Sequence, residues 1–163
     1  ISKRLGLQNI PPELREDTGE IEVSLKKCLP KLVEIKDIKG DFHIHSNLSD
    51  GVMSLEEIAE ICLKRGYEYA GSTDHSKTLH IAGGLTDKEL IKKMKAIDKI
   101  NKRLKNFTLL KSAEVDILND GSLDYSDDLL KKLEIVITTI HSGFKDTKDR
   151  LTKRITKTIK KKV

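Results

Sequence analysis

Between residues 40 and 140, short apolar segments alternate with amphipathic ones, and this alternation constrains the fold more than any other feature. Residues 42–44, 67–73, 107–115 and 134–140 read as strands. After the first, Ser54 and Glu57 match a capping box, and Leu55, Ile58, Ala59, Cys62 and Leu63 form an apolar stripe. Gly66 suits a left-handed cap. Thr86 and Glu89 repeat the box ahead of Leu90, Ile91, Met94, Ile97, Ile100 and Leu104. Ser126 heads a short helix reaching Leu133, and Leu151, Ile155 and Ile159 recur at helical spacing in the tail. Strands alternating with helices imply right-handed βαβ units around a parallel sheet. The fourth strand, nearly all β-branched, reads as buried on both faces. A barrel and a doubly wound sheet fit this pattern equally. A closed eight-stranded barrel takes about 250 residues. With 163 residues and four strand–helix units, a barrel would be only partly completed.

Each strand ends in a residue able to bind a metal. The first ends His43-Ile44-His45, the second Asp74-His75, the third at Glu114 with Asp116 beyond, and the fourth at His141. In parallel α/β folds the carboxyl ends of the strands form one rim, where sites are built. Residues two apart on a strand share a face, so His43 and His45 can grip one ion while Ile44 packs the other way. Taken singly, each of these residues is ordinary: a strand-end His is usually hydrogen-bonded structure, and a lone Glu is usually solvated. Four of the five histidines at strand ends are harder to assign to structure alone. The mixed nitrogen and carboxylate set suits Zn²⁺, Mn²⁺ or Fe²⁺ better than a cysteine-zinc site or an all-oxygen Ca²⁺ or Mg²⁺ site. So many ligands imply two or more ions, with Glu114 bridging. Clustered ions suit phosphate-ester hydrolysis, since they acidify a water and neutralise charge on phosphorus and leaving oxygen.

The rest of the chain narrows the class. Apolar residues make up 37% and charged residues 35%, no run is long enough to span a membrane, and no secretory leader is evident; a cytoplasmic location is expected. Cys28 and Cys62 form no C-x-x-C pair and read as reduced, partly buried thiols. Residues 1–38, with Pro11-Pro12 in a polar stretch, read as a junction of short pieces preceding a domain over 39–163. Residues 145–163 hold nine Lys or Arg against two Asp, a charge of +7 in a chain of net +5. That tail is either a solvated helix face or a surface that tracks phosphates.

The residues that carry the chemistry also carry a resemblance. Gly40-Asp41-Phe42-His43-Ile44-His45, Ser49-Asp50-Gly51 and Ser72-Thr73-Asp74-His75-Ser76 resemble the opening motifs of PHP (polymerase and histidinol phosphatase) domains. Ala113 to Ile117, Asp120 to Tyr125 and Ile140 to Phe144 look most like the PHP domain of bacterial and archaeal family-X DNA polymerases. The segment Ile10 to Glu16 resembles the junction where the polymerase part of those proteins ends. The resemblance covers nearly the whole chain.

This resemblance implies an α/β fold, a partial distorted (β/α)7 barrel with metals at its rim. It implies a metal-dependent 3′–5′ exonuclease that processes DNA ends in repair, beside a polymerase domain in the parent chain. By position, His43, His45, Asp50, His75, Glu114 and His141 match the ligands of two or more divalent ions, Mn²⁺, Zn²⁺ or Fe²⁺. Glu114, His45 and His75 are expected to carry the reaction, and Asp74 to orient its neighbour. Lys77 and His80 are candidates to meet substrate phosphate at DNA 3′ ends, single strands or gaps, with a surface role as the alternative. His80 departs from the family pattern, which has another basic residue there. The family's later ligands, a His on a following strand and a closing Asp-x-His, do not occur in these residues, so the site is expected to be incomplete. The competing readings are a small-molecule phosphatase and a catalytically inactive metal-binding fragment.

Overall fold

The computed structural model describes residues 2–161. It divides into two compact units, Ile1–Ile38 and Lys39–Val163. The first is built of short pieces: 3-10 turns at Ser2–Leu5, Pro12–Leu14 and Ile35–Asp37, and the helix α1 (Glu20–Leu25). Within it the buried Ser24 donates its hydroxyl to Gln8 O at 2.7 Å.

The second unit is a four-stranded, wholly parallel, curled sheet. Its strands are β1 (Gly40–Ile44), β2 (Tyr69–His75), β3 (Thr108–Asp116) and β4 (Ile135–Thr139). They lie in the order β1-β2-β3-β4, with no reversal. A doubly wound sheet reverses direction at a switch point, whereas a barrel advances strand by strand. The observed order is therefore that of a barrel segment.

The connecting helices are α2 (Leu55–Lys64), α3 (Asp87–Asn101) and α4 (Asp127–Leu130), and α5 (Lys148–Ile159) follows β4. Their starts are local chemistry. Ser54 and Thr86 each accept from the backbone N–H three residues on, while Glu57 and Glu89 accept from the cap N–H. Gly66, at φ +78°, ends α2 with Tyr67 N–H donating to Cys62 O and Gly66 N–H to Leu63 O. One face of the sheet packs on these helices. Ala70 and Leu109 join Ile58, Cys62, Ile97 and Ile100 in one core cluster, and Ala113 and Val115 join Leu90, Met94, Leu129 and Leu130 in another.

The structure departs from the sequence pattern in several places, among them α4, which ends at Leu130 short of Leu133. Helix α3 ends at Asn101, short of Leu104, and its inward face includes Lys93 where Ile91, 37% exposed, is expected. Strand β4 is half-buried, with Thr138 exposed. It is an edge of the sheet among the described residues, so it lacks the second neighbour that double burial needs. In α5 the buried residues are Arg154 and Thr158, while Ile155 and Ile159 are exposed. Both cysteines are free, Cys62 buried and Cys28 exposed.

A further departure is in β1. Asp41 pairs with Ala70 and Ile44 with Ser72, so β1 spends three steps where β2 spends two. That extra residue is a β-bulge, a device that re-aims side chains beside sites. Phe42 thereby stacks on Tyr69, with ring centroids 5.0 Å apart, and Ile44 packs into the helix-side core.

Candidate metal centre

Opposite the helices, the strand ends converge on one carboxylate. Glu114 Oε2 lies 3.2 Å from His43 Nε2, from His45 Nε2 and from His75 Nδ1. Its other oxygen lies 3.6 Å from His141 Nε2. The register explains the meeting: His75 and Glu114 are directly paired across β2 and β3, and Glu114 faces Ile137 of β4. His45 follows β1, and His141 lies two residues beyond β4.

Asp50 is added by a turn. Its Oδ1 accepts from His45 Nδ1 at 2.7 Å, and its Oδ2 lies 3.4 Å from His75 Nε2. Gly51 N–H donates to Ser46 O, and a Cβ on Gly51 would stand 2.1 Å from His45 O. Only glycine lets the turn come this close, and that closeness places Asp50 on the imidazole.

Three overlapping groups follow: His43, His45 and Glu114; His45, Asp50 and His75; and His75, Glu114 and His141. Within each, the ligand atoms lie within 4.8 Å of one another. Zinc-type bonds of about 2.0–2.1 Å place neighbouring ligand atoms about 3.0–3.4 Å apart. The contacts with Glu114 Oε2 match that spacing. Two further facts fit a cation here. His43 Nε2 and His45 Nε2 stand 3.1 Å apart, a nitrogen pair that at most one proton can join. His75 Nδ1 is buried and lies 3.2 Å from Glu114, yet off the line of a hydrogen bond, so it has no hydrogen-bond partner.

Electrostatics point the same way. Burial is the largest influence on His75 and pushes its pKa down, which favours the neutral imidazole that binds metals. At Asp50 burial acts upward, but the His45 hydrogen bond and the charges of His75 and His45 outweigh it and hold the carboxyl below its usual range.

Asp74 lies outside the cluster. It points to the helix side, one residue from His75, and is fully buried. It accepts from Ser46 N–H at 2.7 Å, from Ser49 Oγ at 2.8 Å and from Ser72 Oγ at 3.1 Å, and it pairs with Lys93 Nζ at 2.7 Å. Burial would raise its pKa; the Lys93 charge and these hydrogen bonds win and hold it at about 2. Asp74 thus braces the turn between His45 and Asp50 from behind. Lys77 and His80 also stand apart from the cluster. Lys77 pairs with Asp87 at 2.7 Å and lies over the Tyr125 ring, and His80 is exposed on the 3-10 turn His80–Ala82.

Four participants had no role in the sequence reading. Lys93, 2% exposed, also donates to Ser72 O at 2.6 Å and Ser112 O at 2.9 Å. The available signal was its place in the α3 stripe, three residues after Leu90 and four before Ile97. Asp116 accepts from His141 Nδ1 at 3.1 Å and so fixes the ring that faces Glu114. It lies two residues after Glu114, the same-face spacing already applied to His43 and His45. Ser46 and Ser49 complete the set; Ser49 lies in the Ser49-Asp50-Gly51 motif, while no local pattern marks Ser46.

Fold and rim together define an α/β protein whose parallel strand ends assemble a mixed imidazole–carboxylate centre. No family model matches the chain. The chain is 47% identical over 150 residues, 92% of its length, to the DNA polymerase/3′-5′ exonuclease PolX of Bacillus subtilis (strain 168). It spans about a quarter of that relative, 26% of its length. The chain is thus similar to one stretch of a family-X DNA polymerase/3′-5′ exonuclease. No helix among the described residues is long and apolar enough to cross a membrane.

Proposed function

We propose that residues 39–163 form part of a PHP-type (β/α)7 barrel, with 1–38 as its junction to a polymerase region. The activity we propose is metal-dependent 3′–5′ exonuclease hydrolysis of DNA ends, used in repair. The observation that carries this reading is the convergence of four imidazoles, from the ends of β1, β2 and β4, on the two oxygens of Glu114 at the end of β3. Kinship with a DNA polymerase/3′-5′ exonuclease supplies the substrate class.

His43, His45, Asp50, His75, Glu114 and His141 would hold two or more divalent ions, Mn²⁺ or Zn²⁺ by the donor set. When bound, such ions supply positive charge to a phosphodiester and lower the pKa of a water. The chain's own part is positioning. Glu114 is shared by two of the three ligand groups, which suits a bridging carboxylate. Asp50 orients His45 and Asp116 orients His141, each through the ring nitrogen not facing Glu114.

The test is a pair of measurements on wild type and Glu114→Gln. Wild type is expected to retain Mn²⁺ or Zn²⁺ through gel filtration and to shorten 5′-labelled single-stranded DNA. Glu114→Gln is expected to lose both by at least about tenfold, the size of effect typical for groups supporting a metal. Full nuclease activity in Glu114→Gln would overturn the assignment. Hydrolysis of a small diester that single-stranded DNA fails to inhibit would favour a small-molecule phosphatase.

A further inference from the structure

Helix α5 buries a single cation against the loops that leave β3 and β4. Arg154 is buried, donating from Nε to Leu118 O at 2.9 Å and from Nη1 to Ser142 O at 2.7 Å, with Nη2 reaching Ile117 O. Ile117 follows Asp116, and Ser142 follows His141. One buried guanidinium therefore ties α5 to the loops leaving two residues of the candidate metal centre. All three of its nitrogens donate to backbone carbonyls, and no carboxylate pairs with it among the described residues.

Arg150, Lys153 and Lys157 share a face of α5 with Arg154, being spaced by three and four residues. These four cations, with Asn119, Asp120 and Asp146, line a cleft of about 470 Å³. Asn119 also lines a second cleft of about 250 Å³ whose walls include Asp116, His141 and Ser142. The two clefts are neighbours that share Asn119 as a lining residue, which sets the basic wall beside the His141 side of the candidate metal centre. Arg150 is partly neutralised by Asp146 at 3.2 Å, and Lys157 donates to Asp120 O at 2.7 Å. Lys153 is exposed and has no ion-pair partner among the described residues.

We infer that this basic cleft is a phosphate subsite for the backbone of a single nucleic-acid strand whose end is presented to the candidate metal centre. The inference rests on the phosphoesterase reading and extends it. A substrate with one phosphate would be served at the rim alone. A cationic cleft beside the rim helps only a substrate carrying further phosphates in line, and backbone contacts of this kind fix register without reading sequence.

The experiment uses the full chain and an Arg150→Ala/Lys153→Ala variant, with Arg154 untouched because it holds the loops together. Binding of a fluorescein-labelled oligothymidylate is followed by anisotropy in EDTA across a KCl series. The variant is expected to bind at least about fivefold more weakly, with the log–log salt slope reduced by about 1.4 for two lost single-strand phosphate contacts. Lys153→Glu is expected to weaken binding more than Lys153→Ala. Mn²⁺-dependent hydrolysis of bis(p-nitrophenyl) phosphate is expected to be unchanged in all variants. Wild-type affinity and salt slope in the double variant would overturn the subsite. Weakened binding with no hydrolysis by any version would uphold the subsite and sink the phosphoesterase reading.

Discussion

Replacing Lys93 with Met tests the most consequential buried interaction. Asp74 and Lys93 are both fully enclosed, 2.7 Å apart. Met keeps the stem's volume and deletes the charge. Asp74 would then keep its serine donors but lose its counter-charge, and Ser72 O and Ser112 O would each lose a donor. Breaking a buried pair from one side costs about 3–5 kcal/mol, because the surviving charge stays desolvated. At a urea slope of about 2 kcal/mol/M, the unfolding midpoint should fall by about 1.5–2.5 M. The pH dependence carries a definite sign. In wild type the Asp74 carboxyl sits at about 2, against an ordinary 3.8. Its contribution, about 2–3 kcal/mol by linkage, is present above pH 4 and lost as pH falls through 2. In Lys93→Met that depression weakens, so protonation relieves the orphaned carboxylate at higher pH and the deficit should be smaller at pH 4.5 than at pH 7.5. Adding Asp74→Asn should recover part of the loss. A deficit below about 1 kcal/mol, or one constant from pH 4.5 to 7.5, would refute the reasoning, since surface changes already span about 0.5 kcal/mol.

Two further substitutions probe the rim. Gly51→Ala would drive a Cβ to 2.1 Å from His45 O; the turn must retreat, and Mn²⁺ affinity by equilibrium dialysis should fall even where the thermal midpoint moves little. Asp116→Asn keeps the shape but turns a ring-orienting acceptor into an amide; supporting partners of this kind are worth about 10–100-fold in metal affinity, and titration calorimetry that shows no loss would remove Asp116 from the centre.

What could be read from the sequence was local. The capping boxes at Ser54 and Thr86 and the glycine cap at Gly66 each depend on atoms within four residues. The placing of His75, Glu114 and His141 at strand ends was legible because strand propensity and turn chemistry bound each segment. What escaped depends on partners far along the chain. The bulge between Asp41 and Ile44 exists only in register against β2. Arg154 is buried because carbonyls 36 and 37 residues away lack donors. β-Branched composition alone could not show that β4 is an edge of the described sheet.

The pairing Asp74-His75 shows how one strand serves both needs. Consecutive residues in a strand point to opposite faces. With His75 on the rim side, Asp74 must face the helices, so it cannot join the same ligand group. It acts instead through Ser46 and Ser49, the two residues that bracket the turn from His45 to Asp50. Lys93 completes the brace from α3. The imidazoles are thus held by a charged network on the far side of the sheet, where a ligand set built on a loop would otherwise depend on its own stiffness. On β3 the same periodicity works the other way. Asp116 lies two residues from Glu114, shares its face, and supports His141 from within the rim. Support from behind at β2 and from beside at β3 follows from one rule of strand geometry, and it explains why two aspartates near the centre need not be ligands to be required by it.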